Sequence, residues 1–321
     1  MAKVNDPATE ATKHQPRLLP HVVDEIAASE PSRPYIYQPK SSNPEDGWVP
    51  VTFKEFANAI DYVAHIIAET VKKDSTDEFP TLAYVGPNDV RYGVIVLASV
   101  KAGCQALVVS PRNSIEGQLS LFERTKCCHI WYAESFHLAV GTWLSKREMK
   151  SWAVPPPKVW LQASPSPFPY SKSFEEARWD PLAVLHTSGS TGHPKPIVVK
   201  QGGFSIMDTF GGLPEYMGGT FLSKFWQSSA SRIFVPMPLF HAAGLLAGIL
   251  GASIYYGVPC ALPIIDQPTT ADFTIRCLQG SGSDAALLAP SIVEELSMRR
   301  DGVEQLKKLG FVAFGGGKLG A

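Results

Sequence analysis

A run of small polar residues at positions 187–195 contains the side chains best suited to chemistry in this sequence. The run follows the apolar stretch 182–186 and has the order Thr-Ser-Gly-Ser-Thr-Gly-His-Pro-Lys. Its candidate phosphate-binding residues are Thr187, Ser188, Gly189, Ser190, Thr191, Gly192 and Lys195. The glycines allow backbone conformations closed to other residues, and the hydroxyls add hydrogen-bond donors. Such a loop can wrap a polyphosphate, while Lys195 can stabilise the charge on a departing pyrophosphate.

This run differs from a phosphate loop of the Walker type. That motif requires Gly-Lys-Ser/Thr in direct succession, whereas Pro194 and Pro196 flank Lys195 here. A solvated linker is the plain alternative, but a linker does not require this combination of glycines, hydroxyls and a lysine. The composition of the run therefore favours a phosphate-binding role.

Two further segments are candidates for the same site. The segment 236–244 places His241 after a predicted strand and before a glycine-bearing helix, where an imidazole can face a substrate. A helix-capping or buried histidine is the alternative for His241. Gly315, Gly316 and Gly317 follow the predicted strand 311–314, and a backbone without side chains can approach a flat ring closely. A plain turn is the alternative there.

The bulk composition is that of a globular protein. The 321 residues are 45% hydrophobic and 18% charged, with a formal net charge of -1, so no overall field attracts nucleic acid or an anionic membrane. Residues 1–15 lack the apolar stretch of a signal peptide, and no segment is apolar for long enough to span a bilayer. These features predict a soluble, cytoplasmic protein with neither nucleic acid nor membrane as a partner.

The cysteines indicate a reducing environment and no metal site. The sequence has five cysteines without the spacing of a zinc site or a redox pair. The adjacent Cys127, Cys128 and His129 could suggest a metal, but they adjoin a run at 128–133 that is typical of a buried strand. Neighbouring strand residues point to opposite faces, which favours packing over ligation.

Apolar strands alternate with helices along the chain. Strands are predicted at residues 81–85, 105–109, 128–133, 182–186, 233–235, 258–262, 285–288 and 311–314. Helices are predicted after a capping box at 52–55, at 90–102, at 115–125 and after a second box at 291–294. The first of these helices has an apolar stripe at helical spacing, formed by Phe56, Ile60, Val63, Ile67 and Val71. The segment 280–285 fits a loose dinucleotide fingerprint, but it follows a helix and precedes a strand, so it is predicted to be a turn.

This alternation predicts an α/β fold with largely parallel sheets built from βαβ units. The chain is divided into a flexible lead-in (1–20), a first α/β subdomain (21–150), a Pro/Ser-rich connection (151–180) and a second subdomain with the phosphate loop (181–321). Chains of this length usually form two domains or subdomains.

The run 187–195 resembles the signature loop of the adenylate-forming superfamily, which includes acyl-CoA synthetases and the adenylation domains of nonribosomal peptide synthetases (NRPS). Segments 51–56, 97–111, 236–244 and 314–319 resemble further family motifs in the same order. The resemblance implies the large N-terminal domain of such an enzyme, truncated before its barrel and its small C-terminal domain. It also implies ATP as a substrate, Mg²⁺ with Thr191 as a ligand, and catalytic roles for His241 and Lys195.

The form of the loop is most similar to that of fungal NRPS-like enzymes and carboxylic acid reductases. This implies activation of a small, possibly aryl, carboxylic acid as acyl-AMP, followed by transfer to a carrier-protein phosphopantetheine. The later family motifs, including the metal-binding glutamate motif and the catalytic lysine of the C-terminal domain, do not occur before Ala321. A truncated adenylation domain is therefore expected, and a non-catalytic nucleotide-binding or interaction module remains the alternative.

Overall fold

The computed structural model describes residues 16–71, 78–187, 193–210, 213, 219–265 and 267–317. The strands are β1 Pro34–Pro39, β2 Trp48–Thr52, β3 Thr81–Val85, β4 Gln105–Val108, β5 His129–Ala133, β6 Lys150–Val154, β7 Pro181–Thr187, β8 Lys195–Lys200, β9 Ile233–Phe234, β10 Cys260–Ala261, β11 Ala285–Leu288 and β12 Phe311–Phe314. The α-helices are α1 Leu19–Ser29, α2 Phe53–Thr70, α3 Arg91–Lys101, α4 Ile115–Arg124, α5 His137–Leu144, α6 Pro157–Leu161, α7 Phe174–Ala177, α8 Gln201–Phe210, α9 Leu222–Ser229, α10 Ala271–Ser281, α11 Pro290–Ser297 and α12 Arg300–Leu306. A π-helix spans Ala243–Tyr255.

The strands form two six-stranded sheets. Sheet 1 has the order β6-β5-β3-β4-β7-β8, and sheet 2 has the order β12-β11-β9-β10-β1-β2. Every neighbouring pair is parallel except β7–β8 and β1–β2, which are antiparallel. The predicted α/β class with largely parallel sheets is confirmed.

The two sheets are interleaved along the chain. Strands β1 and β2 precede sheet 1 in sequence yet pair in sheet 2, whereas β7 and β8 follow residue 180 yet complete sheet 1. Strand membership therefore does not change at 151–180, and the subdomain boundary there stays a prediction. A segment rich in proline and serine marks a loop, but it does not specify which sheet edge the next strand joins.

The segments next to the predicted boundaries are also more ordered than expected. The connection 151–180 contains most of β6 as well as α6 and α7. The lead-in is shorter than residue 20, because α1 begins at Leu19 and Arg17 forms an ion pair with Asp208 at 2.7 Å. Residues 1–15 of the lead-in lie outside the described residues.

Local sequence signals set most element boundaries to within a few residues. The Thr52 and Glu55 side chains form the predicted capping box at the start of α2. The second predicted box is wrong: α11 begins at Pro290, and its N-cap, Ala289, makes no side-chain cap bond. Proline is favoured in the first helical turn, so the helix begins two residues earlier than the box predicts and Ser291 lies inside it.

The core lies between the sheets and the helices that cover them. The predicted stripe of α2, at Phe56, Ile60, Val63 and Ile67, is buried. Helix α3 is buried along its whole length and contacts α2, β4 and the π-helix. A helix buried on all sides has to neutralise any charge that it carries. Its terminal Lys101, whose side chain is buried, accordingly forms ion pairs with Asp24 and Asp61.

Two sequence interpretations concern short segments that were predicted to lack a ligand. The segment 280–285 is a turn between α10 and β11, as predicted, and Gly282 ends the helix with φ of 62°. Cys127 is buried and Cys128 is exposed, and β5 begins only at His129. The two cysteines thus lie in different environments.

No described helix is both long and apolar enough to cross a membrane.

Candidate functional site

The carboxyl ends of the parallel strands meet where sheet 1 approaches the turn after β9. The side-chain Oδ1 of Asn88, after β3, accepts a hydrogen bond from the backbone N–H of Leu239 at 3.0 Å. This bond joins the edge of sheet 1 to the segment that carries His241. In open α/β sheets, ligands bind in the crevice outside the carboxyl ends of the strands.

His241 lies at the start of the π-helix, on a tight turn. Its backbone N–H donates to the carbonyl of Pro238 at 3.1 Å, and its ring lies 4.7 Å from that of Phe240 between centroids. The side chain is reached by solvent. Enclosure by the surrounding protein and, secondly, the charge of Arg112 lower the pKa of His241. At neutral pH the ring is therefore uncharged and can donate or accept one hydrogen bond.

A second histidine, His186, lies beside His241 at the end of β7. Its Nε2 accepts a hydrogen bond from the backbone N–H of Ser110 at 3.1 Å, which ties β7 to the end of β4. Burial and, secondly, the neighbouring His241 lower the pKa of His186 to about 4. Sequence reasoning did not select His186 as a site residue, although it directly precedes the phosphate loop.

Arg112 is the third side chain of this cluster, the cationic one, and was also missed. It follows β4, and its backbone N–H donates to the hydroxyl of Ser110 at 3.2 Å. The side chain is exposed and forms no ion pair with any residue in the described part of the chain. Arg112 lies in an irregular loop, so no periodic pattern could have identified it. An unpaired guanidinium beside a neutral imidazole suits the recognition of an anion.

A cleft of about 250 Å³ opens between the two sheets next to these residues. It is lined by Asn88, Arg112, Phe136, Phe240 and Ile264, among others. The lining combines apolar walls with four polar side chains, those of Asn88, Arg112, Gln267 and Thr269, which is the usual character of a small-molecule site.

The phosphate loop connects β7 to β8 at the same end of sheet 1. Thr187 and Lys195 are paired across the two antiparallel strands, so the loop leaves and returns at one point. The ring of Pro194 lies close to Gly117 in the first turn of α4. Five of the candidate phosphate-binding residues, Ser188, Gly189, Ser190, Thr191 and Gly192, lie outside the described residues.

The glycine segment follows β12 at the carboxyl edge of sheet 2. Gly316 has a φ of +93°, which favours glycine on backbone grounds, and no atom of the described residues approaches the Cβ positions of Gly315 and Gly316 within 4 Å. A Cβ atom at Gly317 would lie 3.7 Å from the ring of Pro290. Strand β11 separates β12 from β9, so the glycines share an edge with His241 at a separation of about 10 Å or more.

The described residues contain no group of three or more His, Cys, Asp or Glu side chains that could hold a metal ion. Thr191, the predicted magnesium ligand, lies outside the described residues. The donor set in the described part of the site consists of cationic and neutral groups, which suits an anion rather than a bare cation.

The fold and the site together define a class of α/β protein in which two largely parallel sheets and a hydroxyl-rich loop meet at the carboxyl ends of the strands. Comparison with protein families gives the family itself. The AMP-binding enzyme family matches residues 23–321, and the chain belongs to that family. Members of this family are acid-activating ligases, as the sequence resemblance implied.

Curated relatives of the chain include two fungal proteins. A carboxylic acid reductase of Neurospora crassa is 43% identical over 304 residues, which cover 94% of this chain and 29% of that protein. An isocyanide synthase–NRPS hybrid, crmA, of Aspergillus fumigatus is 34% identical over 314 residues, covering 94% of this chain and 20% of that protein. The chain thus spans less than a third of the length of these relatives.

A solved structure supports the fold. The N-terminal domain of FACL13 from Mycobacterium tuberculosis matches with a TM-score of 0.72 at 15% identity, covering 95% of this chain and 71% of that one. At this identity the match concerns the fold alone. The prediction that the chain has the architecture of the N-terminal domain of an adenylate-forming enzyme is confirmed.

Proposed function

We propose that this chain is the part of an adenylation domain that binds ATP and a small carboxylic acid and supports their conversion to acyl-AMP and pyrophosphate. A carboxylate oxygen attacks the α-phosphorus, and the bond from that phosphorus to the bridging oxygen breaks as pyrophosphate leaves. The observation that carries the proposal is the convergence of His241, Arg112 and the ends of the phosphate loop at one edge.

Each described side chain has a distinct role in this proposal. Lys195, at the end of the loop, holds the β- and γ-phosphates and stabilises the charge that develops on pyrophosphate. His241, uncharged at neutral pH, donates one hydrogen bond to an oxygen at the reacting centre. Arg112 adds a positive charge that favours an anionic acid or phosphate in the cleft.

The lining of the cleft supports a small acid as the substrate. Its volume of about 250 Å³ and its two aromatic residues, Phe136 and Phe240, suit a compact and partly apolar acid. We further propose that the acyl group passes to a carrier-protein phosphopantetheine. This part rests on the likeness to a carboxylic acid reductase and to an NRPS hybrid.

ATP chemistry in this family uses Mg²⁺, which neutralises phosphate charge when bound. The described residues do not form a metal site by themselves, so no step proposed here depends on the ion. We propose a cytoplasmic location, because an odd number of cysteines, five, without the spacing of a zinc site or a redox pair suits a reducing compartment.

Calorimetric titration with ATP and with adenosine tests the role of the loop. Lys195→Ala should weaken ATP binding by about tenfold, the equivalent of one charge-assisted hydrogen bond, and should leave adenosine binding unchanged. Lys200→Ala is a matched control, because Lys200 is exposed on the same strand at its opposite end. Equal losses for ATP and adenosine would contradict a phosphate-binding role.

The reaction itself is tested by carboxylate-dependent exchange of labelled pyrophosphate into ATP. Exchange with an aryl or other small acid, lost in His241→Ala and kept in His137→Ala, is the expected result. His137 is exposed on α5 and does not line the cleft. ATP binding without exchange for any acid, including in a chain extended through the later family motifs, would favour the non-catalytic nucleotide-binding module instead.

A further inference from the structure

The contact between Asn88 and Leu239 is a side-chain bond between the two sheets beside the proposed reacting centre. The two residues are 151 positions apart, and the Oδ1 atom of Asn88 lies 3.0 Å from the backbone nitrogen of Leu239. Leu239 itself is fully buried, so its N–H is costly to leave without an acceptor. The contact thus fixes the backbone two residues before His241.

The turn that carries Asn88 is held rigidly on the side of sheet 1. Asp89 and Arg91 form a buried ion pair with contacts of 2.6–3.1 Å, and Arg91 Nη1 also donates to the carbonyl of Pro155 at 3.2 Å. The hydroxyl of Tyr92 donates to the carbonyl of Gly86 at 3.0 Å. These contacts hold the backbone of Asn88 in place on the side of sheet 1.

The turn that carries His241 is confined from its other side. A Cβ atom at Gly244 would collide with the carbonyl oxygens of Met237 and Pro238, so the π-helix already touches that turn. A turn held between Gly244 and Asn88 has little freedom to move. Gly244 is close to this turn in sequence, so its contact does not depend on sheet 1. The contact with Asn88 sets the position of the turn relative to sheet 1.

We infer that Asn88 is a positioning residue that holds His241 in place opposite the edge of sheet 1. The inference rests on the proposed function in giving His241 a role in the reaction. Loss of the acceptor leaves the Leu239 N–H unpaired, and the turn gains freedom to move away from sheet 1. His241 then moves away from the charged or titratable side chains near it, which are Arg112 and His186.

Nuclear magnetic resonance on the full 321-residue chain tests this inference without nucleotide or acid. His241→Gln identifies the ring signals of His241, and two observables follow: the pH titration of that ring and the exchange rate of the Leu239 amide. In Asn88→Ala and Asn88→Leu we expect faster amide exchange and a pKa of His241 that rises toward 6.5, its ordinary value.

Two variants separate positioning from a general effect on stability. Asn88→Asp keeps an acceptor oxygen and should preserve the slow exchange of the Leu239 amide; its added charge acts on the imidazole directly, so the titration is interpreted only for the Ala and Leu variants. Asn58→Ala removes another side-chain bond between elements, from Asn58 Nδ2 to the carbonyl of Ala163 at 3.3 Å. It should leave both observables unchanged.

Unchanged titration of His241 in a folded Asn88→Ala or Asn88→Leu chain would overturn the inference. So would loss of folding in all three Asn88 variants while Asn58→Ala folds, because Asn88 would then act on stability alone. These results are independent of the pyrophosphate exchange assay. If the pKa of His241 shifts in the Asn88 variants but the parent chain never exchanges pyrophosphate, the proposed function is refuted and the inference about Asn88 is supported.

Discussion

Replacing His186 with glutamine should remove a specific part of the pH dependence of stability. The side chain is only 7% exposed, and its Nε2 accepts the Ser110 N–H bond. Burial and then the neighbouring His241 lower the pKa of His186 to about 4, from an ordinary value of 6.5. Between these two pH values the unfolded chain binds a proton at this position and the folded chain does not. Stability therefore rises with pH across that interval.

The size of the effect follows from the two pKa values. The interval from about 4 to 6.5, at about 1.4 kcal/mol per pKa unit, corresponds to about 3 kcal/mol of unfolding free energy. This stabilisation is fully present above pH 6.5 and is lost as the pH falls toward 4. A glutamine oxygen can replace Nε2 as the acceptor for Ser110 without titrating. His186→Gln should accordingly cost only about 1 kcal/mol at pH 7.

Urea unfolding at a series of pH values between 4 and 7.5 measures this difference. The free energy of unfolding of His186→Gln, minus that of the parent, should increase by about 3 kcal/mol as the pH falls through the interval. Carboxylates titrate in both proteins and cancel in the difference. His137→Gln, at an exposed histidine, is the control for the loss of an imidazole as such. A difference between His186→Gln and the parent that is independent of pH would refute the assignment of a buried, neutral His186.

Two further substitutions test charges that the fold has buried or fixed. Lys101→Met should lower the unfolding free energy by about 3 kcal/mol, because Asp24 and Asp61 lose the buried ammonium that they share. In the control Lys54→Met, at an exposed lysine, urea unfolding should show a change of less than about 0.5 kcal/mol. Asp284→Asn should lower the unfolding free energy by about 2 kcal/mol at pH 7, measured in the same way. Partial burial opposes ionisation of Asp284, but hydrogen bonds from two backbone N–H groups and a hydroxyl lower its pKa. Because that pKa is lowered, the cost should disappear as the pH falls below it; a cost that persists in acid would show that shape rather than charge matters.

Much of the local structure could be predicted from single segments of the chain. The capping box at Thr52, the apolar stripe of α2 and the strands at 285–288 and 311–314 depend on neighbours close in sequence, and all appear where expected. The exception, the box at Ser291, failed because Pro290 competes for the first helical turn. The family could also be identified early, because a phosphate loop is a contiguous motif.

The sequence by itself determined the alternation of strands and helices, the identity of the phosphate loop and the role expected of His241, since each depends on residues near one another in the chain. Only the tertiary structure decided which sheet each strand joins, and that His186, Arg112 and Asn88 gather around His241. Those placements arise from strand pairing and packing between segments far apart in the chain, such as Ile36 and Cys260 in neighbouring strands or Asn88 and Leu239 across the cleft. The free energy of such contacts depends on the whole fold, so no local pattern encodes it.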